Sequence, residues 1–149
     1  MCMNKYMDIA IEEAKNGIHE GHGGPFGCVI VKDGTIIGKG HNEVIKRQDP
    51  TCHGEMMAIR EACKTLGTFD LEGCELYTTA QPCPMCHGAI LWSNIRKVYY
   101  GCTIEDTDKI GFRDEEFFSG SWDFLEELDR PECLDLFEEY NNIQDKKQY

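Results

Sequence analysis

Two short motifs in this chain bring together residue types that bind metal ions and transfer protons. The first is His-Gly-Glu at positions 53–55, and the second is Pro-Cys-Pro-Met-Cys at positions 82–86. Two cysteines spaced in this way can direct both sulfurs at one ion from the first turn of a helix, where the helix dipole favours the thiolate. His53, Cys83 and Cys86 would therefore give zinc three protein ligands and leave its fourth position for water.

A water in that fourth position determines what the motifs can do. Bound zinc lowers the pKa of water from about 15.7 to about 7. Glu55 follows His53 at the start of a predicted helix, where an irregular first turn can place its carboxylate beside this water. We expect Glu55 to carry protons rather than to bind the metal. The order H-x-E followed by P-C-x-x-C resembles the signature of zinc-dependent deaminases.

Other interpretations of the two motifs stay open at this point. A closed structural zinc site needs a fourth protein ligand, and Cys52 and His87 are the nearest candidates in the sequence. Cys52 directly precedes His53 and His87 directly follows Cys86, so both would normally point elsewhere. A redox pair of cysteines would leave His53 and Glu55 without a role. The joint pattern favours an open, catalytic site.

The elements that position these residues can be predicted from hydrophobic periodicity and turn signals. The expected elements are a helix at 3–18, a hairpin of strands 26–31 and 35–40, a helix at 51–66, a strand at 74–79, a helix at 84–93, a strand at 97–102 and a helix beginning near Pro131. The strand–helix–strand order at 74–102 implies a parallel pair joined by a right-handed crossover. We therefore predict an α/β fold in which helices cover both faces of a mixed sheet.

Length, charge and cysteine content restrict the class of protein further. The chain has 149 residues, 41% of them hydrophobic, which suits one domain with a core. The formal net charge of −12 gives no sign of a basic face for phosphates, so nucleic acid is not an expected partner. No apolar run approaches the roughly 20 residues of a membrane span. The cysteines are interpreted as reduced core residues or metal ligands, and we expect a cytoplasmic protein.

The chain resembles the cytidine deaminase-like superfamily and, more narrowly, the bacterial guanine deaminases. The features shared with the superfamily are Asn42, Trp92, the two metal motifs and the segments 23–27, 29–34, 49–51 and 88–90. The narrower resemblance lies in Gly-Phe-Arg-Asp at 111–114 and Lys-Lys-Gln-Tyr at 146–149. It implies a three-layer α/β/α fold with a mixed five-stranded central sheet. It also implies a single domain, residues 1–149, whose segment 113–149 closes the active site or exchanges between the subunits of a homodimer.

The resemblance also implies roles for individual residues. His53, Cys83 and Cys86 would bind one Zn²⁺ per subunit, and Glu55 would transfer protons. The residues expected around the base are Phe26 and Trp92 as apolar walls, Asn42 as a hydrogen-bonding group, Asp114 as a contact to the amino-bearing edge that assists proton transfer, and Tyr149 as a C-terminal lid. Their structural alternatives are core aromatics for Phe26 and Trp92, a turn residue for Asn42, a solvated charge for Asp114 and a frayed terminus for Tyr149.

The implied reaction is hydrolysis of guanine to xanthine and ammonia. Two residues depart from the guanine deaminase pattern, because Gly54 stands where alanine is common and Gln81 where glutamate often precedes Pro-Cys. His-Gly-Glu instead resembles the fungal cytosine deaminases, so cytosine or another aminated heterocycle, such as a triazine or a nucleoside, stays open as the substrate. Adenosine in transfer RNA, which the acidic charge disfavours, and a non-catalytic zinc module are the remaining alternatives.

Overall fold

The computed structural model describes residues 3–120 and 124–149, and the chain divides into two units, Met1–Ser119 and Gly120–Tyr149. In chain order the first unit contains α1 (Lys5–His19), β1 (Gly27–Lys32), β2 (Thr35–His41), α2 (Val44–Arg47), α3 (Gly54–Leu66), β3 (Glu75–Ala80), α4 (Pro84–Trp92), β4 (Lys97–Cys102), α5 (Ile104–Lys109) and α6 (Asp114–Ser119). The second unit contains α7 (Arg130–Asn141), which confirms the helix expected near Pro131.

One mixed sheet organises the first unit, with its strands in the order β2-β1-β3-β4. Strand β1 is antiparallel to both β2 and β3, whereas β3 and β4 are parallel. The β1–β2 turn places Asp33 and Gly34 at φ values of 49° and 78°, as a tight hairpin turn requires. The predicted hairpin and the predicted parallel pair are both confirmed.

Alternating side chains of β1 face two different helical layers. Cys28 and Ile30 pack in a buried cluster that includes Ala58 of α3 and Ile90 of α4. On the opposite face, Val29 packs in a second cluster with residues of α1. Because successive side chains of a strand point to opposite faces, one apolar strand can join both layers. The three-layer α/β/α arrangement is therefore confirmed for this unit.

The sheet has four strands within the described residues, so the predicted count of five is wrong. After β4 the chain enters a helix through a capping box at Thr103. The Thr103 hydroxyl accepts a hydrogen bond from the Asp106 N–H at 3.3 Å, and the Asp106 carboxylate accepts one from the Thr103 N–H at 2.9 Å. This reciprocal capping favours a helix over continued strand, and α5 begins directly after β4.

Helix α3 begins at Gly54, later than the predicted start at Thr51. The Asp49 side chain accepts hydrogen bonds from the N–H of Thr51 at 2.9 Å and from its hydroxyl at 2.7 Å. This Asx turn holds residues 49–51 outside the helix and leaves His53 as the N-cap residue. The local turn thus determines which side chain lies at the helix entrance.

The described helices are all too short or too polar to cross a membrane. The single domain of residues 1–149, the exchange of segment 113–149 and the cytoplasmic location stay predictions.

Candidate active site

Two helix N-termini bring the predicted metal ligands together. His53 is the N-cap residue of α3 and Cys83 is the N-cap residue of α4, while Cys86 lies in the first turn of α4. The His53 Nδ1 atom lies 3.6 Å from the Cys83 sulfur and 3.6 Å from the Cys86 sulfur. Both cysteines are buried and His53 is partly buried. The sequence motifs therefore meet at one point although they lie far apart along the chain.

These distances fit a tetrahedral zinc ion. Zinc–sulfur bonds of about 2.3 Å and zinc–nitrogen bonds of about 2.05 Å at the tetrahedral angle separate nitrogen from sulfur by about 3.6 Å. Among the described residues, the group around His53 that could hold a metal contains only His53, Cys83 and Cys86. Cys52 instead lies 3.6 Å from an Arg60 nitrogen, and His87 is exposed. The donor set is thus that of an open site with three protein ligands.

The three donor groups also shift one another's protonation. A hydrogen bond from the Cys86 thiol, with a further one from His53, lowers the pKa of Cys83 to about 4. The same bond to Cys83, together with burial, raises the pKa of Cys86, and the bond to Cys83 raises that of His53. The cluster therefore favours a thiolate, which is the form of cysteine that binds a metal cation.

Glu55 lies buried next to these donors, with 5% of its surface exposed. The Thr78 hydroxyl donates a hydrogen bond to Glu55 Oε1 at 2.9 Å. Burial raises the pKa of the Glu55 carboxyl, and a hydrogen bond with Cys86 partly opposes this shift. A carboxylate with a raised pKa takes up a proton more readily at neutral pH, as proton transfer requires.

Asn42 is buried at the end of β2 and has its amide oriented by the main chain. Its Oδ1 atom accepts a hydrogen bond from the Val44 N–H at 3.0 Å, and its own N–H donates to the Phe26 carbonyl at 2.9 Å. Because Oδ1 is engaged, the side-chain nitrogen is left to donate to another group. Asn42 thus combines the predicted turn role with a geometry that suits base binding.

Phe26 is partly buried and packs edge-on against Phe112, with ring centroids 4.9 Å apart. Phe112 was not among the predicted site residues, although it belongs to the Gly-Phe-Arg-Asp segment at 111–114. That segment follows α5, and the chain then enters α6 at Asp114. The same short stretch therefore supplies both a neighbour of Phe26 and the predicted acidic residue.

Asp114 interacts electrostatically with the metal-ligand cluster. Burial, and then the negative charge of Cys83, raise the pKa of Asp114, whereas the charge of His53 opposes this rise. Asp114 in turn contributes to the raised pKa of His53. Asp114 is therefore not simply a solvated charge, since it lies within electrostatic range of two predicted ligands.

Trp92 and Tyr149 are exposed in this chain. Trp92, the last residue of α4, has 68% of its surface exposed, and Tyr149, in the second unit, has 80% exposed. Their predicted roles as a ring wall and a lid stay predictions. Gln81 accepts a hydrogen bond from the Ile104 N–H at 3.3 Å, which connects the end of β3 with α5.

Comparison with known proteins agrees with this site. The family model for the cytidine and deoxycytidylate deaminase zinc-binding region matches residues 2–102. Guanine deaminase of Bacillus subtilis is 40% identical over 97% of each chain, and its X-ray structure matches with a TM-score of 0.92 over 99% of both chains.

Relatives that act on other bases are also similar to this chain. Cytosine deaminase of Candida albicans is 35% identical over 97% of this chain and 91% of its own. A tRNA-specific adenosine deaminase of Aquifex aeolicus is 50% identical over 64% of this chain and 62% of its own. Family match, overall similarity and ligand geometry agree, and the chain belongs to the cytidine and deoxycytidylate deaminase family as a zinc-dependent hydrolytic deaminase.

Proposed function

We propose that this enzyme hydrolyses guanine to xanthine and ammonia. The observation that carries the proposal is the similarity to a guanine deaminase along nearly the whole chain, including the segment that follows the zinc-binding region of residues 2–102. The buried donors at one site support it, because they combine a zinc-ligand set, a proton carrier and a base-binding amide. A second candidate, cytosine, is favoured by Gly54 and by the Candida albicans relative.

The proton transfers in this proposal are assigned to Glu55. Zinc, held by His53, Cys83 and Cys86, supplies an activated water. The Glu55 carboxylate takes a proton from the attacking water and delivers it to the ring nitrogen next to C2 of guanine. It then carries the hydroxyl proton to the amine, so that the carbon–nitrogen bond breaks, ammonia leaves and the C2 carbonyl forms. The raised pKa of Glu55 supports this role, because the carboxyl group can then both take up a proton from water and release it to the base.

Binding of the ring is assigned to residues around this carboxylate. In the proposal, the free amide nitrogen of Asn42 donates to the base, and Phe26 and Trp92 form apolar walls. Asp114 accepts from the amino-bearing edge and assists proton transfer, for which its raised pKa is suitable. Tyr149 closes the pocket as a lid.

We infer in addition that the enzyme is a homodimer in which the C-terminal segment is exchanged. Apolar side chains are exposed on each unit of the chain taken by itself. In the first unit they include Trp92, Tyr100 and Phe117, and in the second they include Phe124, Leu128 and Phe137. Exposure of several large apolar groups favours burial against another protein surface. Sedimentation equilibrium would test this inference, and a monomer at micromolar concentration would contradict it.

The substrate is tested by ammonia release from guanine, guanosine, cytosine, adenine and ammeline with zinc-loaded protein. We expect rapid release from guanine, loss of most turnover in Glu55→Gln and retention of zinc in that variant. Glu61→Gln is the matched control, since Glu61 is an exposed residue of the same helix. Turnover of cytosine but not of guanine would replace the proposed substrate, and near-normal activity of Glu55→Gln would refute the proton-transfer role.

A further inference from the structure

A second cluster of titratable side chains lies outside the zinc site, at the junction of α1, the loop before β1 and the end of β2. It contains Glu13, His22, His41 and Glu43. We propose that the hydrogen-bonded chain Glu13–His41–His22 is a positioning system that fixes Asn42 for binding of the base. This inference rests on the proposed function, because it concerns the base-binding side of the same site.

The side chains of this cluster are linked by short contacts. His41 Nδ1 lies 2.9 Å from Glu13 Oε2, and His41 Nε2 lies 2.8 Å from His22 Nδ1. The two imidazole rings are stacked, with centroids 5.1 Å apart. Lys39 Nζ lies 3.6 Å from Glu13 Oε1, and Glu43 Oε1 lies 3.9 Å from His41 Nε2. The side chains of Glu13 and His41 are 15% and 16% exposed, so the central link is largely shielded from water.

The chemistry of the carboxylate gives the chain a direction. An ionised Glu13 can only accept, so His41 donates from Nδ1. When the His41 ring carries this one proton, its Nε2 accepts a hydrogen bond from the Nδ1–H of His22. Every polar atom in the link therefore has a definite role, and each ring is restrained by its neighbour.

The separation of the two rings indicates a hydrogen bond rather than a metal site. The donor atoms of His22, His41 and Glu43 lie within 4.8 Å of one another, a spacing that could hold a metal ion. Two imidazole nitrogens on tetrahedral zinc would be about 3.3 Å apart, whereas 2.8 Å is an ordinary hydrogen-bond distance. Glu43 is also paired with Arg47 Nε at 2.7 Å and Lys46 Nζ at 3.3 Å.

The hydrogen-bonded side chains of Glu13, His41 and His22 connect two backbone segments that meet at Asn42. His41 is the last residue of β2 and directly precedes Asn42, and His22 directly precedes the Gly-Gly-Pro-Phe loop of residues 23–26. The main chain reinforces the same junction, because the His22 carbonyl accepts from the N–H groups of Ile45 and Lys46 at 3.0 and 3.1 Å. A displacement of His22 relative to His41 would therefore move the two loops that surround the Asn42 amide.

Gly23 shows how closely these loops approach each other. A Cβ atom on Gly23 would lie 2.8 Å from the Asn42 carbonyl oxygen and would overlap its amide oxygen. The Asn42 amide therefore lies in contact with Gly23, and a shift of the His22–Gly23 segment towards it would displace the amide. The side-chain link between His22 and His41 restrains this segment, because His22 is the residue directly before Gly23.

Kinetics of His22 variants test the proposal. In His22→Ala we expect KM for the base to rise about fivefold or more, with kcat changed less than about twofold, because loss of one hydrogen bond weakens ground-state positioning. His22→Asn should restore KM, since its amide nitrogen occupies the place of Nδ1 and can donate to His41. Glu13→Gln should also raise KM, because a neutral amide holds His41 less strongly than the carboxylate does. Glu12→Gln is its control, because Glu12 is a neighbouring residue of the same helix with a 59% exposed side chain.

Direct binding separates this inference from the proposed function. Guanine affinity is measured by calorimetry in zinc-loaded Glu55→Gln protein, with and without His22→Ala. A weaker affinity in the double variant, at unchanged zinc content, supports positioning, whereas equal affinity overturns it. If cytosine rather than guanine is bound and turned over, guanine fails as the substrate, and the same His22→Ala comparison is made on cytosine. A second zinc per chain that is lost in His22→Ala would also overturn the proposal, as would failure of both bases to bind.

Discussion

Replacement of Thr78 by valine is the sharpest test of how the buried carboxyl is tuned. Thr78 is completely buried in β3, and its hydroxyl donates to Glu55 Oε1 at 2.9 Å. Valine has a closely similar shape but cannot donate, so the change removes the hydrogen bond with little change in volume. A donor to a carboxylate stabilises its charged form, and the bond from Thr78 accordingly holds the pKa of Glu55 below the value that burial alone would give.

The size of the effect follows from the value of a buried hydrogen bond to a charged group. Such a bond contributes about 1.5–3 kcal/mol. Since about 1.36 kcal/mol is a tenfold change in an equilibrium constant, Thr78→Val should make ionisation of Glu55 roughly ten- to a hundredfold less favourable, and so raise its pKa further. Glu55 must be ionised to accept a proton from water. The acidic limb of the kcat/KM profile should therefore move to higher pH, while the rate well above that limb falls less.

The assay is the pH dependence of kcat/KM for ammonia release, measured together with zinc content. Thr78→Ser is the matched variant, because it keeps the hydroxyl and should leave the acidic limb of the kcat/KM profile at the same pH as in the original enzyme. A Thr78→Val profile that coincides with that of Thr78→Ser would refute the reasoning. A loss of zinc in Thr78→Val would show that the change acts on the ligands instead of on Glu55.

Three further substitutions probe the ligands, the core and the base-binding segment. Cys83→Ser should lower the zinc content well below the expected one ion per chain, because a serine hydroxyl is a poor substitute for a thiolate ligand. Metal analysis after dialysis measures this content. Leu76→Ala should lower the free energy of unfolding by about 2–5 kcal/mol in urea titrations, because Leu76 is completely buried in the sheet. Gly54→Ala should raise the ratio of kcat/KM on guanine to kcat/KM on cytosine by up to about tenfold at full zinc content. Its Cβ would lie 3.1 Å from the Phe26 carbonyl oxygen, which also accepts the Asn42 N–H, and alanine is the residue common here in the guanine deaminase pattern.

Each of these changes has a control in the chain. Cys102→Ser alters an exposed cysteine and should leave zinc binding unchanged. Leu91→Ala removes a leucine that is 49% exposed and should cost less stability than Leu76→Ala. Equal effects of control and test variant would contradict the first two predictions. An unchanged or lower ratio of kcat/KM on guanine to kcat/KM on cytosine in Gly54→Ala would contradict the third.

The metal ligands could be predicted from sequence because their placement is largely local. Cys83 and Cys86 lie on one helical turn, and His53 is the N-cap residue of the next helix upstream. A motif that fixes both helix starts therefore fixes most of the ligand geometry. The hairpin was equally local, since Asp33 and Gly34 adopt the positive φ values that their residue types favour.

Contacts between distant segments could not be obtained in this way. Thr78 reads as an ordinary strand residue, and only the pairing of β1 with β3 and the packing of α3 bring its hydroxyl to Glu55. Phe112 meets Phe26 only after the four helices and four strands between them have been placed. The prediction of a fifth strand is wrong for the opposite reason. It came from the family resemblance, whereas the local capping box at Thr103 begins a helix directly after β4.

Of the two departures from the guanine deaminase pattern, Gly54 and Gln81, only Gly54 lies next to residues proposed to bind the base. The Phe26 carbonyl oxygen that a Cβ on Gly54 would approach also accepts the Asn42 N–H at 2.9 Å. A side chain at position 54 would therefore act on the contact between Phe26, the proposed ring wall, and Asn42, the proposed base-binding residue. Gln81, by contrast, connects β3 with α5 through Ile104. Of the two departures, Gly54 is consequently the one through which a preference between guanine and cytosine can be transmitted.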